Sequence, residues 1–137
     1  MKRFINAQRT DYERALDEIR SGRKLTHWIW YIFPQIQGLG FSAMTQYYAI
    51  KDMAEARQFL NDETLGPRLR EITSALLAVE GRNALEILGS PDDMKVKSCM
   101  TLFDYICPND IFNQVLIKYY NGSRCSHTIQ KLTVKHK

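Results

Sequence analysis

The sequence is short of the residues that staple small proteins together. It holds three cysteines, Cys99, Cys107 and Cys125, and none belongs to a CxxC pair. Cys99 and Cys107 fall on one expected helix, about 12 Å apart along it at about 1.5 Å per residue, too far to bridge. Free thiols in a reducing cytoplasm are the expectation. The three histidines, His27, His127 and His136, are far apart, and no Cys/His spacing fits a zinc site. Gly38-Leu39-Gly40 lacks the continuation of a dinucleotide fingerprint or a P-loop, and no GxSxG elbow occurs. No metal and no cofactor is therefore expected. The longest unbroken apolar run, Trp28 to Phe33, is far short of a membrane span, and no secretory leader pattern opens the chain. Low-complexity tracts and internal repeats are also missing.

What is present suits one globular domain. The chain has 137 residues, 45% hydrophobic and 25% charged, enough to bury a core without a staple. The net charge is +4. Much of it lies at the ends, at Lys2, Arg3 and Arg9, then Arg124, Lys131, Lys135 and Lys137. Solvated chain ends explain this, and so would a weak phosphate contact. The aromatics are not interleaved with basic residues as a base-stacking surface requires, so neither nucleic acid nor a membrane is an expected partner.

Capping signals divide the chain into helices. Thr10 and Glu13 read as a capping box, followed by Tyr12, Ala15, Leu16 and Ile19 at helical spacing and by Gly22 as a stop. The stretch Thr26 to Pro34 has strand propensity, but no partner strand exists. It is read as a short helix capped by Thr26 and ended by Pro34. Ser42 caps a helix through Tyr48, and Asp52 with Glu55 opens another to about Leu60. A long helix runs from about Leu65 to Val79, and Asn83 with Glu86 starts a short one closed by Gly89. Ser90-Pro91-Asp92-Asp93 reads as cap, first-turn proline and acids at the positive end of a helix dipole. That helix reaches about Cys107. Helices near Asp110 to Gly122 and from Ser126 complete an all-α single domain of about seven helices, packed as antiparallel helical hairpins. The basic end from about residue 133 is expected to fray. Leu69, Ile72, Leu76, Met100, Phe103, Phe112 and Leu116 are expected to share one core.

Two segments mix bulky apolar with specific polar residues. The first holds His27, Trp28, Trp30 and Gln35. The second, on the helix after Pro91, holds Lys95, Ser98 and Thr101, which step by three along a side away from Val96, Met100 and Phe103. Hydroxyls in mid-helix suit a close helix contact or a pocket wall better than a solvated face. Lys95 beside them could hold a carboxylate or phosphate as a point charge. Core packing by the tryptophans and a snorkelling lysine is the plainer explanation.

The same segments resemble a known family. His27-Trp28-Ile29-Trp30, Ile32-Phe33-Pro34-Gln35, Gly38-Leu39-Gly40 and Ser42 are similar to a signature of the bacterial "domain of unknown function 1810" family. Arg3-Phe4, Ala7-Gln8 and Tyr12 resemble its opening, and Leu65-Gly66 with Arg68-Leu69 its middle. Asp92, Lys95 and Ser98 through Phe103 resemble its last block. Cys99 stands where that family usually has serine, and Cys125 where it usually has aspartate. The resemblance implies an all-α fold and no established reaction. Some members carry the label calpastatin, yet calpain inhibitors of that name are disordered and repetitive, and this chain is neither.

Two functions fit. One is a pocket for a small, anionic ligand, lined by His27, Trp28, Trp30, Gln35, Lys95, Ser98 and Thr101. The other is a helical module that binds a protein partner without catalysis. The sequence specifies no catalytic residue and no oligomeric state.

Overall fold

Apolar spacing, more than capping, sets where the first helix begins. A computed structural model describes residues 1–133. In it α1 (Lys2–Arg20) starts eight residues before the expected cap at Thr10. The buried stripe explains the correction: Phe4, and Gln8 through its 2.8 Å bond to Tyr31 O, extend the series Tyr12, Ala15, Leu16, Ile19, and all are buried. Phe4 packs edge-on against Phe59, with ring centroids 5.0 Å apart. Burial of a whole stripe outweighs one local capping signal. Ser21 ends the helix, followed by Gly22 at φ 82°.

The aromatic stretch is helical only over α2 (Ile29–Ile32). Thr26 does not cap it, because Glu18 on α1 claims the preceding loop. One Glu18 oxygen accepts from Leu25 N, Thr26 N and Trp28 Nε1 at 2.8, 3.1 and 2.9 Å, and the other accepts from the Thr26 hydroxyl at 2.6 Å. Trp28 is thereby fully buried beside Phe33.

The remaining starts follow their caps. Ser42 accepts from Thr45 N at the start of α3 (Ala43–Tyr48), and Asp52 from Glu55 N at the start of α4 (Met53–Asn61). The second box is half-formed, since the Glu55 carboxylate turns to Lys51 N and to Arg3. After α5 (Leu65–Ala78), α6 (Ala84–Leu88) opens with the full reciprocal box of Asn83 and Glu86. Pro91 precedes α7 (Asp92–Ile106) instead of standing in its first turn, while Asp92 and Asp93 do occupy that turn. Asp110 accepts from Ile111 N before α8 (Ile111–Tyr120), and α9 (Ser126–Thr133) follows. The described residues thus form nine helices in one domain, against about seven expected; three of them, α2, α3 and α6, are only four to six residues long. The only β pairing among them is an isolated parallel bridge between Ile36 and Ile50.

α7 lies at the centre, against α2, α4, α6, α8 and α9, while α5 joins α1, α4 and α8. Residues Ser98 to Asp104 of α7 are all buried. Leu69, Ile72, Leu76, Met100, Phe103, Phe112 and Leu116 belong to one buried cluster. The rings of Phe59, Phe103 and Phe112 run through it at 5.7 Å steps. Gly66 makes the α4–α5 corner possible: a Cβ there would lie 2.1 Å from the Leu60 carbonyl oxygen. No helix among the described residues is long and apolar enough to cross a membrane, and all three cysteines are free thiols. The expected fraying from about residue 133 falls almost wholly outside the described residues.

Candidate functional site

The bridge between Ile36 and Ile50 shapes the site. Ile50 N donates to Gln35 O and Gln37 N to Ile50 O, each at 2.8 Å. This clip holds the loop of residues 35–40 beside α7 and α9. Two glycines let the loop lie close. A Cβ on Gly38, whose φ is +92°, would come 2.7 Å from Lys131 Nζ, and one on Gly40 would come 2.9 Å from a Thr45 methyl carbon.

The wall opposite is α9 with the residues before it, fixed to α7 by three polar ties. Ser98 and Thr128 share a buried hydroxyl bond of 2.7 Å. Thr101 Oγ1 donates to Lys97 O and accepts from Cys125 N at 2.9 Å. Arg124 Nε donates to the buried Asp104 carboxylate at 3.0 Å. The mid-helix hydroxyls of α7 therefore make a second helix contact, and Thr101 faces that seam.

Between loop and wall lies a concavity of about 610 Å³. Lys95, Lys131 and His127 bring positive or titratable groups, and Gln35, Ser98 and Thr45 bring neutral polar ones. Leu39, Pro91 and Met94 supply an apolar side, and among the described residues no carboxylate lines it. Lys95 is held in place at its mouth. Its ammonium lies 5.4 Å from the centre of the Trp30 ring and 3.8 Å from an Asp92 oxygen. The other Asp92 oxygen is taken by Lys24 at 2.8 Å. Asp92 is thus shared, which leaves Lys95 part of its charge to offer.

Of the residues singled out from sequence, Gln35, Lys95 and Ser98 line this concavity together. Trp30 stands just behind it, in a small gap shared with Gln35 and Thr45. Trp28 is core, Thr101 is sealed in the α7–α9 seam, and exposed His27 is not part of the lining. Sequence reasoning missed His127, Gln130 and Lys131. Their i, i+3, i+4 spacing puts them on one helix face, a signal that was in the sequence but was absorbed into a basic chain end. Cys125 and His127 both line the wall, and Cys125 N is engaged by Thr101.

Comparison with known proteins agrees with the architecture. The family model described as protein of unknown function (DUF1810) matches residues 1–132. The crystal structure of the conserved hypothetical protein Rv1873 from Mycobacterium tuberculosis superposes with a TM-score of 0.95 at 43% identity, covering 98% of this chain and 96% of that one. No curated protein matches.

Proposed function

We propose, for a chain that belongs to the protein of unknown function (DUF1810) family, that it binds a small anionic ligand bearing phosphate or carboxylate. The observation that carries this reading is the concavity itself: two lysines face it, and among the described residues no acidic side chain lines it. Its volume of about 610 Å³ is in the range of small-ligand sites. Lys95 would hold the anion as a point charge, Ser98 and Gln35 would offer polar contacts, and Leu39 and Met94 would cover an apolar part. The three free thiols support a reducing compartment such as the cytoplasm.

The test is a thermal-shift screen of inorganic phosphate, sugar phosphates and organic acids against the wild type and Lys95→Met. A ligand of the native state raises the melting temperature by mass action. The reading expects a shift that Lys95→Met removes while its own unliganded melting temperature stays close to wild type. A wild type that responds to none of these anions refutes it.

One observation favours the protein-module reading instead. Phe41 is 89% exposed, Tyr47 on α3 is 61% exposed, and α3 buries no residue. If Phe41→Ser raises solubility without changing any anion response, that surface serves a separate purpose. Loss of the anion response in Phe41→Ser would tie it to the ligand.

A further inference from the structure

A second concavity of about 530 Å³ lies beside the first, and Lys131 lines both. The loop divides them: Gln35 and Gly38 to Gly40 face the first, while Ile36 and Gln37 face the second. Lys51 and Arg57 bring two more cations to the second. Its one carboxylate among the described residues, Asp52, is engaged at the start of α4, accepting from Glu55 N at 2.9 Å. Among the described residues, none of Lys51, Arg57 and Lys131 has a carboxylate within 4.0 Å. Across the pair of concavities, Lys95, Lys131, Lys51 and Arg57 therefore meet one lining carboxylate among the described residues, besides the Asp92 that Lys95 shares with Lys24. Cations in neighbouring hollows, those of the second unpaired among the described residues and with a shared lysine between the two, suit two separated negative groups on one molecule.

We infer that the second concavity is a second anion subsite, and that the ligand class is a small molecule with an anionic group, most simply phosphate, at each end. This rests on the anion reading of the first concavity. Lys95 holds one end, Lys51 and Arg57 hold the other, and Lys131 lies across Gly38 between them. Linking two weak sites through one ligand makes the second contact intramolecular, so affinity rises well beyond that of either end alone once the spacer matches the span.

The experiment is calorimetric titration of the full chain with alkanediol bisphosphates from propanediol to octanediol and with the matching monophosphates. At the best spacer, the bisphosphate should bind at least about tenfold more tightly than its monophosphate, a small part of the gain linkage can give. In the double variant Lys51→Met with Arg57→Met that ratio should fall to about one, with monophosphate affinity unchanged; in Lys95→Met both ligands should weaken. Both replaced residues of the double variant are exposed, and Lys51→Glu with Arg57→Glu gives an independent check by making the bisphosphate the weaker ligand. If monophosphates bind and Lys95→Met abolishes it, but no spacer improves on them, the second subsite is overturned and the first reading stands. If no phosphate binds the wild type, both are overturned.

Discussion

Replacing Glu18 with glutamine tests how the loop that buries Trp28 is held. Burial by itself would raise the pKa of this carboxyl, but the bonds from Thr26, Leu25 and Trp28 outweigh it and hold it down from an ordinary 4.5 to about 2. A group depressed on folding stabilises the native state fully above its unfolded pKa, and the contribution fades as pH falls toward the folded value. A depression from 4.5 to about 2 corresponds to ~3 kcal/mol at neutral pH. By pH 3 about 2 kcal/mol of that is gone, from the two binding polynomials. Glutamine keeps one oxygen for the three N–H donors and can turn its amide toward the Thr26 hydroxyl, so the shape survives while the charge is lost. The assay is urea unfolding of wild type and Glu18→Gln at pH 7 and pH 3. Subtracting the two proteins cancels every other titrating group. The wild-type advantage should shrink by about 2 kcal/mol between the two pH values, roughly one molar in urea midpoint at an ordinary slope. An advantage that is the same at both would show that Glu18 does not hold the loop as a charged acceptor.

Other changes probe packing. Phe103→Ala, which removes the ring between Phe59 and Phe112, should cost about 3–5 kcal/mol in urea unfolding. Gly66→Ala should cost about 3 kcal/mol or more, because its methyl would meet the Leu60 carbonyl, which is backbone and cannot swing aside. Cys99 is fully buried and its thiol is pushed up by that burial. Iodoacetamide at neutral pH should therefore label native Cys107 and Cys125 well before Cys99, as read by mass spectrometry.

The fold was legible because its signals are local and repeated. Ser42, Asn83, Asp110 and the acids after Pro91 mark helix starts that the chain uses. Thr10 misled because a cap is worth about 1 kcal/mol, less than burying Phe4 and its stripe. Thr26 misled for a different reason: its partner, Glu18, is on another helix, and no periodicity reports that. The site was legible in part. Lys95, Ser98 and Gln35 stood out as odd polar residues in apolar company. The opposite wall did not, because His127 and Lys131 look like any solvated face until the Ile36–Ile50 bridge brings the loop against them.

The ties between α7 and the wall of the concavity set an order of events. Ser98, Thr101 and Asp104 reach Thr128, Cys125 and Arg124 in succession, like teeth of a zip. α9 itself buries only Thr128 and Leu132. Lifting it exposes little apolar surface, so this segment should detach at far less free energy than the core melts. The hollow is then complete only in the final, shallowest step of folding. A molecule lodged there is a latch on that step, and its arrival should be written in the amide protons of α9, exchanging more slowly while those of α5 and α7 keep their pace.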